Sequence, residues 1–242
     1  MILLAMSASL LAQTATEPSF GDGSSGNPYQ ISTLDHLFWI TENDDEWDKH
    51  YIQTANIDAF STSSWDSNEG FSPIGDNSPK FTGSYDGDGY TINGLTIARS
   101  STHYIGLFGY TDGATIQDLG VTNVNITGNN YVGGLVGYNR YEGTSTVSHC
   151  YSTGSVSGNT EVGGLVGLVY NDTISNCYST SSVSGNNYVG GLVGYNRDYS
   201  TAVNCYSTGS VTGSGDFVGG LVGKLHLSSP VINCYSTGSV TG

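Results

Sequence analysis

The stretch Tyr131-Val-Gly-Gly-Leu-Val-Gly-Tyr138 decides the fold, because the chain repeats it three more times with few changes. Its equivalents are Glu161–Leu168, Tyr188–Tyr195 and Phe217–Lys224, and their second glycines lie 27 to 30 residues apart. A sequence period of 20 to 50 residues is typical of solenoids, propellers and other repeat arrays. The second half of the chain is therefore predicted to be such an array.

A second fixed phrase follows each glycine-rich one at a variable distance. It reads Asn176-Cys-Tyr-Ser-Thr180 and returns as His149–Thr153, Asn204–Thr208 and Asn233–Thr237, each followed closely by Ser-Val-Ser/Thr-Gly. A divergent first copy begins at Ile105-Gly-Leu-Phe-Gly109. The sequence thus contains one divergent and four good copies, and we assign residues 98–242 to the repeat region.

Short strands separated by turns fit the inside of a repeat better than helices. Glycine recurs too often for a helix, and every segment between turns is short. The strands predicted in one copy are Val162–Val169, Thr173–Ser179 and Ser182–Ser184. Three strands in one period match a coil of a parallel β-helix, whereas a propeller blade needs about 40 residues. We predict an all-β fold, a right-handed parallel β-helix (β-solenoid), with the handedness taken from the general crossover rule.

Residues 20–97 are predicted to form an N-terminal cap and the first coils. Ser32 or Thr33 is a suitable N-cap for a short α-helix, whose apolar face carries Leu34, Leu37, Phe38 and Trp39 or Ile40. The turn Asp86-Gly-Asp-Gly89 is flanked by strand-like residues. It is interpreted as a hairpin-type turn, with calcium binding through its oxygens as the alternative.

Residues 1–12 are apolar but too few to span a bilayer, which needs about 20 residues. They resemble the h-region of a signal peptide with cleavage after Ala12, so we expect secretion and no membrane insertion of the mature chain. The alternative is a disordered or buried N-terminal strand. The net charge of −15, with only six Lys and Arg, disfavours nucleic acid and anionic membranes as partners.

The spaced motifs between Tyr104 and Gly242 resemble those of the GLUG-motif family. The resemblance extends more loosely to Asn27–Ile31 and to Phe81–Ile92, which look like the usual preface to such arrays. It implies a module of a large bacterial surface or secreted protein, including adhesins and some secreted peptidases. The His-Glu-x-x-His motif that such a peptidase would need does not occur in this sequence.

Strand alternation provides the candidate binding residues. If Cys150 points inward, Tyr151 and every second residue from it point outward, and the other copies repeat this pattern. Such a face could stack sugar rings, contact a neighbouring molecule or order water; alternatively, its ladders merely complete a β surface. The candidate residues are Tyr151, Thr153, Tyr178, Thr180, Tyr206, Thr208, Tyr235 and Thr237.

The four cysteines, at positions 150, 177, 205 and 234, should form a column with a spacing of about 4.8 Å. The first and last would then be about 14 Å apart, too far for shared ligation of one zinc ion. Buried free thiols and disulfides between neighbouring cysteines remain the two alternatives. The acidic residues of the repeats do not recur in one register, and the histidines are scattered. We therefore predict no catalytic residue, no metal ligand and no cofactor.

The sequence favours a non-catalytic, extracellular structural or adhesion module whose partner is a glycan, a protein surface or copies of itself placed end to end. A self-assembling filament subunit is one alternative. A polysaccharide-acting β-helix enzyme, with a groove near the acidic N-terminal third and loss of activity on changing Asp44 or Asp86, is another. The last copy shows no change of composition, so we expect either a longer protein or a covered end.

Overall fold

The computed structural model describes residues 13–140 and 146–242, and the signal-peptide interpretation of residues 1–12 lies outside them. The chain is a parallel β-solenoid with one α-helix near its N-terminus, as predicted. Four sheets run along it, and we call them A to D. Sheet A has eight strands, in spatial order Tyr29–Ile31, His50–Gln53, Ser84–Asp86, Thr115–Gln117, Thr146–Ser148, Thr173–Ser175, Thr201–Val203 and Val231–Ile232.

The other three sheets form the remaining sides of the coils. Sheet B contains Phe108–Asp112, Val136–Arg140, Val166–Tyr170, Val193–Arg197 and Val222–Leu225. Sheet C contains Asn130–Gly133, Thr160–Gly163, Asn187–Gly190 and Val218–Gly219. Sheet D contains Ile57–Asp58, Thr91–Asn93, Thr96–Ala98, Gly120–Thr127, Tyr151–Ser157, Tyr178–Ser179, Ser182–Gly185, Tyr206–Ser207, Val211–Gly213, Tyr235–Ser236 and Val240–Thr241.

Each coil has more strands than the sequence predicted. The predicted strand Val162–Val169 is divided between sheets C and B, and the predicted strand Thr173–Ser179 between sheets A and D. The chain turns a corner at each division. In the second corner Asn176 has a φ of 54°, a left-handed conformation that asparagine tolerates better than most residues and that ends the strand.

The two fixed phrases recur together because they pack against each other across the coil. A Cβ atom added to Gly164 would lie 2.1 Å from Oγ of Ser179 and 2.2 Å from the carbonyl oxygen of Gly191. Gly134 and Ser152 repeat this contact one coil earlier. Only glycine fits where the corner approaches both the serine and the next coil.

The N-terminal helix spans Leu34–Glu42, and Thr33 is its N-cap, so the predicted cap helix is confirmed. The Thr33 hydroxyl accepts a hydrogen bond from the backbone N–H of His36 at 3.2 Å. Leu37 and Ile40 are fully buried in the core. The helix therefore extends the apolar interior beyond the edge strand Tyr29–Ile31.

The hairpin interpretation of Asp86–Gly89 is wrong. The flanking strands, Ser84–Asp86 and Thr91–Asn93, belong to sheets A and D and pair with neighbouring coils rather than with each other. The Asp86 carboxylate accepts a hydrogen bond from the backbone N–H of Asp88 at 2.9 Å, which forms a local turn. This turn is a corner of the solenoid, where the chain passes from one sheet to the next.

Candidate functional site

The predicted tyrosines form one straight column on sheet D. The ring centroids are 4.7 Å apart between Tyr151 and Tyr178, 4.8 Å between Tyr178 and Tyr206, and 5.2 Å between Tyr206 and Tyr235. The planes of neighbouring rings differ by no more than 6°. Parallel pairing in register places equivalent side chains directly above one another.

Stacking covers the ring faces of this column. At its first end, a Cβ atom added to Gly120 would lie 2.4 Å from Cζ of Tyr151, so the Tyr151 ring lies over this glycine. At the other end Tyr235 is 56% exposed. The column therefore presents ring edges and hydroxyl groups, rather than faces, along most of its length.

The predicted threonines lie beside the tyrosines on the same side of sheet D. Thr180, Thr208 and Thr237 are exposed, whereas Thr153 is half-buried and accepts a hydrogen bond from the backbone N–H of Asn123 at 3.0 Å. The structure thus brings all eight candidate residues onto one regular polar face.

A second set of aromatic residues, which the sequence reasoning did not single out, runs along the corner between sheets C and B. We call it the aromatic stripe. The contributing positions are the first and the last residue of the repeated phrase, and in the coil that begins at Phe217 only the first of them is aromatic. The aromatic residues at the two ends of the phrase were therefore the available signal. The stripe consists of Tyr104, Tyr110, Tyr131, Tyr138, Tyr188, Tyr195 and Phe217, with stacked neighbouring rings 4.6 to 6.1 Å apart.

The cysteines also form a column, and all four are free thiols. Cys150, Cys177 and Cys205 are buried, and Cys234 is half-buried. The backbone N–H of Cys150 points at the sulfur of Cys177 at 3.4 Å. Burial raises the pKa of the Cys177 thiol well above its ordinary value, so this thiol stays protonated and unreactive.

Thiol labelling tests this arrangement. A bulky thiol reagent should modify Cys234 first under native conditions and leave the three buried cysteines unmodified, because only Cys234 is accessible. All four should react after denaturation. Rapid native modification of Cys150 or Cys177 would mean that the column faces water and that the inside and outside of sheet D are exchanged.

Among the described residues, no group of three or more His, Cys, Asp or Glu side chains could hold a metal ion. Asp86 belongs to the turn for which the sequence left calcium binding as an alternative. Its carboxylate accepts a hydrogen bond from the Gln117 side chain at 2.8 Å. We therefore predict that calcium is dispensable. Melting temperatures measured with and without a chelator should agree, and a large decrease under the chelator would contradict this.

The acidic N-terminal third contains an open cleft of about 440 Å³ lined by Asp44, Asp45, Asp48 and Asp112. Lys80 also lines it and pairs with Asp112 at 3.0 Å. Asp86 is not among its lining residues, so the structure does not bring Asp44 and Asp86 into one groove.

No helix in the described ranges is long and apolar enough to cross a membrane.

Comparison with known families identifies the repeated unit. The family model of the GLUG motif matches residues 128–157, 158–184 and 185–212. Residues 128–212 are three consecutive GLUG motifs. Each motif contributes strands to all four sheets, so one GLUG motif corresponds to one coil of the solenoid.

The GLUG repeats are similar to segments of much longer proteins. A halomucin of Haloquadratum walsbyi is 38% identical over 143 residues, which are 57% of this chain and 2% of that protein. A protein of Evansella cellulosilytica, provisionally named a Gly-rich membrane protein, is 37% identical over 109 residues, which are 44% of this chain and 12% of that protein. The matched regions thus span only a small part of either relative.

A solved structure shares the fold. It is that of a provisionally named immunoglobulin A1 protease from Bacteroides ovatus, with a TM-score of 0.74 and 23% sequence identity. The match covers 92% of this chain and 69% of the solved chain. At this level of identity the similarity concerns the solenoid and its cap rather than a reaction.

Proposed function

We propose that this chain is a non-catalytic, rigid spacer module of a secreted or cell-surface protein. The observation that carries the proposal is the regular repetition of the coil: Val136, Val166, Val193 and Val222 pair in one register through sheet B. Stacked coils of one shape make a rod, and each coil lengthens it by the distance between paired strands, about 4.8 Å.

The relatives support the extracellular role. Proteins named a halomucin and a Gly-rich membrane protein contain segments like this one, and those segments occupy a small fraction of their length. A repeat of this kind within a long protein is suited to fixing the distance between the segments on either side of it and to keeping the connection between them stiff. The protease name of the structural neighbour supplies no reaction for this chain, whose sequence lacks the His-Glu-x-x-His motif.

The polar face of sheet D is the proposed contact surface for an extracellular glycan or protein. Its tyrosine rings repeat every 4.7 to 5.2 Å along the rod, and Thr180, Thr208 and Thr237 are exposed. Because the ring faces cover one another, such a partner would hydrogen-bond to ring edges and hydroxyls rather than stack on the tyrosines.

The spacer role is tested by adding one coil. Insertion of a second copy of residues 158–184 after residue 184 should increase the maximum dimension in small-angle X-ray scattering by about 5 Å, with cooperative unfolding retained. A Gly/Ser insertion of the same length at the same position is the control, and it should form a flexible loop without extending the rod. Loss of folding on adding the coil would overturn the proposal.

Self-assembly is a second candidate, favoured by the surface of the coil formed by residues 217–242. Lys224 is the only Asp, Glu, Lys or Arg in that range, so the surface of this coil carries little charge. The exposed apolar residues of this coil are Phe217, Leu225, Leu227, Ile232, Tyr235 and Val240. We propose that a second copy of the chain covers this surface.

Sedimentation velocity over a wide concentration range tests the second candidate. The chain should associate as its concentration rises, and the double substitution Ile232→Lys and Val240→Lys should weaken association, because two buried charges would oppose the contact. A lysine at exposed Phe20, remote in sequence from this coil, is the control. A monomer at every concentration would exclude self-assembly through these residues.

A further inference from the structure

The aromatic stripe has a single interruption within the GLUG repeats, at Glu161 and Leu168. Strand register places Glu161 between the positions of Tyr131 and Tyr188, because its neighbours in sheet C pair with theirs. In sheet B, Leu168 pairs with Tyr138 on one side and Tyr195 on the other. One coil therefore contributes a carboxylate and an aliphatic side chain where its neighbours contribute two rings.

The interruption leaves Tyr131 and Tyr188 without a ring from the coil between them. Tyr131 stacks on Tyr104 at 5.1 Å, and Tyr188 stacks on Phe217 at 5.4 Å, in both cases on the side away from Glu161. Each tyrosine also stacks on the second tyrosine of its own coil, Tyr138 for Tyr131 and Tyr195 for Tyr188, at 5.3 Å in both pairs. The coil between them contributes no ring at this position. Tyr131 and Tyr188 are two coils apart, about 9–10 Å at the usual strand spacing. In the continuous parts of the stripe, an aromatic ring fills the space between two such positions. Here the coil of Glu161 and Leu168 supplies no ring, and we call the space between Tyr131 and Tyr188 the slot.

Glu161 gives this slot a negative charge. Its side chain is half-buried and accepts a hydrogen bond from the Thr160 hydroxyl, and it forms no ion pair within the described part of the chain. Burial raises the pKa of the Glu161 carboxyl, and the Thr160 hydroxyl and the nearby His103 offset only part of this effect. A positive group in the slot would relieve that desolvation cost.

The stripe already holds cations at other positions. The Lys224 ammonium lies 4.4 Å from the ring centroid of Phe217 and 5.0 Å from that of Tyr188. The Lys80 ammonium lies 5.1 Å from the ring centroid of Tyr110. These distances are typical of cation–π contacts, which strengthen as the cation loses water. At the interruption, the rings of Tyr131 and Tyr188 lie on either side of the Glu161 carboxylate.

We propose that the slot at Glu161 binds an arginine side chain of a basic protein segment. The guanidinium group is planar, so it can stack between the rings of Tyr131 and Tyr188 while it pairs with the Glu161 carboxylate.

The probe is an acetylated, amidated pentapeptide of sequence Gly-Arg-Gly-Arg-Gly, titrated into the full chain by calorimetry at about 0.15 M salt. Glu161→Gln should weaken binding about tenfold, equivalent to about 1.4 kcal/mol. Glu42→Gln makes the same charge change on the exposed end of the cap helix and should alter affinity less than about twofold. Equal losses in the two variants would show non-specific attraction to an acidic chain and overturn the proposal.

Two further comparisons test the stacking geometry. Tyr188→Phe keeps the ring and should keep binding, whereas Tyr188→Leu should lose it, provided that both variants unfold at the wild-type midpoint. The same peptide with lysines should bind several-fold more weakly, because an ammonium group cannot stack as a plane. Equal affinity for the two peptides would exclude insertion of a guanidinium. The spacer role does not depend on this slot, so a failure of arginine binding leaves the coil-insertion result unaffected.

Discussion

Replacing Phe108 by alanine should destabilise the fold by about 3–5 kcal/mol, the cost of removing a fully buried aromatic side chain. Phe108 begins the first strand of sheet B, and its ring lies 4.9 Å from that of Phe81 and 5.6 Å from that of Tyr85. It therefore joins the core of the N-terminal coils to the first repeat. The free energy of unfolding, measured by urea denaturation, would report the loss.

The control for this prediction is Phe20→Ala. Phe20 is 68% exposed, so its removal should change stability by less than about 0.5 kcal/mol. If the two variants were equally stable, Phe108 could not belong to a packed core, and the junction between the cap and the repeats would have to be different.

The second large effect is expected from Gly164→Ala, at about 3 kcal/mol. A single added carbon would lie 2.1 Å from Oγ of Ser179 and 2.2 Å from the backbone oxygen of Gly191. The backbone contact cannot be relieved by rotating a side chain, which places the cost at the upper end of the range for overpacking. The shift of the urea midpoint measures it.

Gly26→Ala is the matched control, because no atom lies within 4 Å of the Cβ position at this exposed residue. Its effect should stay within about 0.5 kcal/mol. If alanine were tolerated at Gly164, steric packing could not explain why the second glycine of the glycine-rich phrase recurs in each copy. The account of how the two fixed phrases pack against each other would then be contradicted.

Register was predictable from the sequence because the period is almost constant. With coils of 27 to 30 residues, the second glycines and the cysteines can form columns only if each repeat closes one turn of a parallel solenoid. Alternation along the strand then directs Tyr151 outward once Cys150 points inward. The solenoid and the outward position of the tyrosines follow from these two periodicities, and the cap helix at Leu34–Glu42 follows from its N-cap and its apolar face.

The corners were not predictable from periodicity. Tyr131 and Tyr138 are seven residues apart in sequence, yet their rings lie 5.3 Å apart because the chain changes sheets between them. Tyr131 also has a φ of 58°, which is rare for an aromatic residue and is imposed by the packing of the corner. Because periodicity does not predict the corners, Asp86–Gly89 resembled a hairpin turn. For the same reason the sequence did not predict the aromatic stripe or its interruption at Glu161.

Nuclear Overhauser effects between backbone protons of neighbouring coils test the solenoid most directly. The backbone N–H of Tyr178 donates to the carbonyl of Cys150 at 3.1 Å, and that of Tyr206 donates to the carbonyl of Cys177 at 3.2 Å. Cross-peaks from Tyr178 and Tyr206 should therefore lead to residues one repeat earlier, in parallel register through all the coils. Cross-peaks confined to residues within one repeat, as antiparallel hairpins would give, would contradict the solenoid and the spacer role built on it.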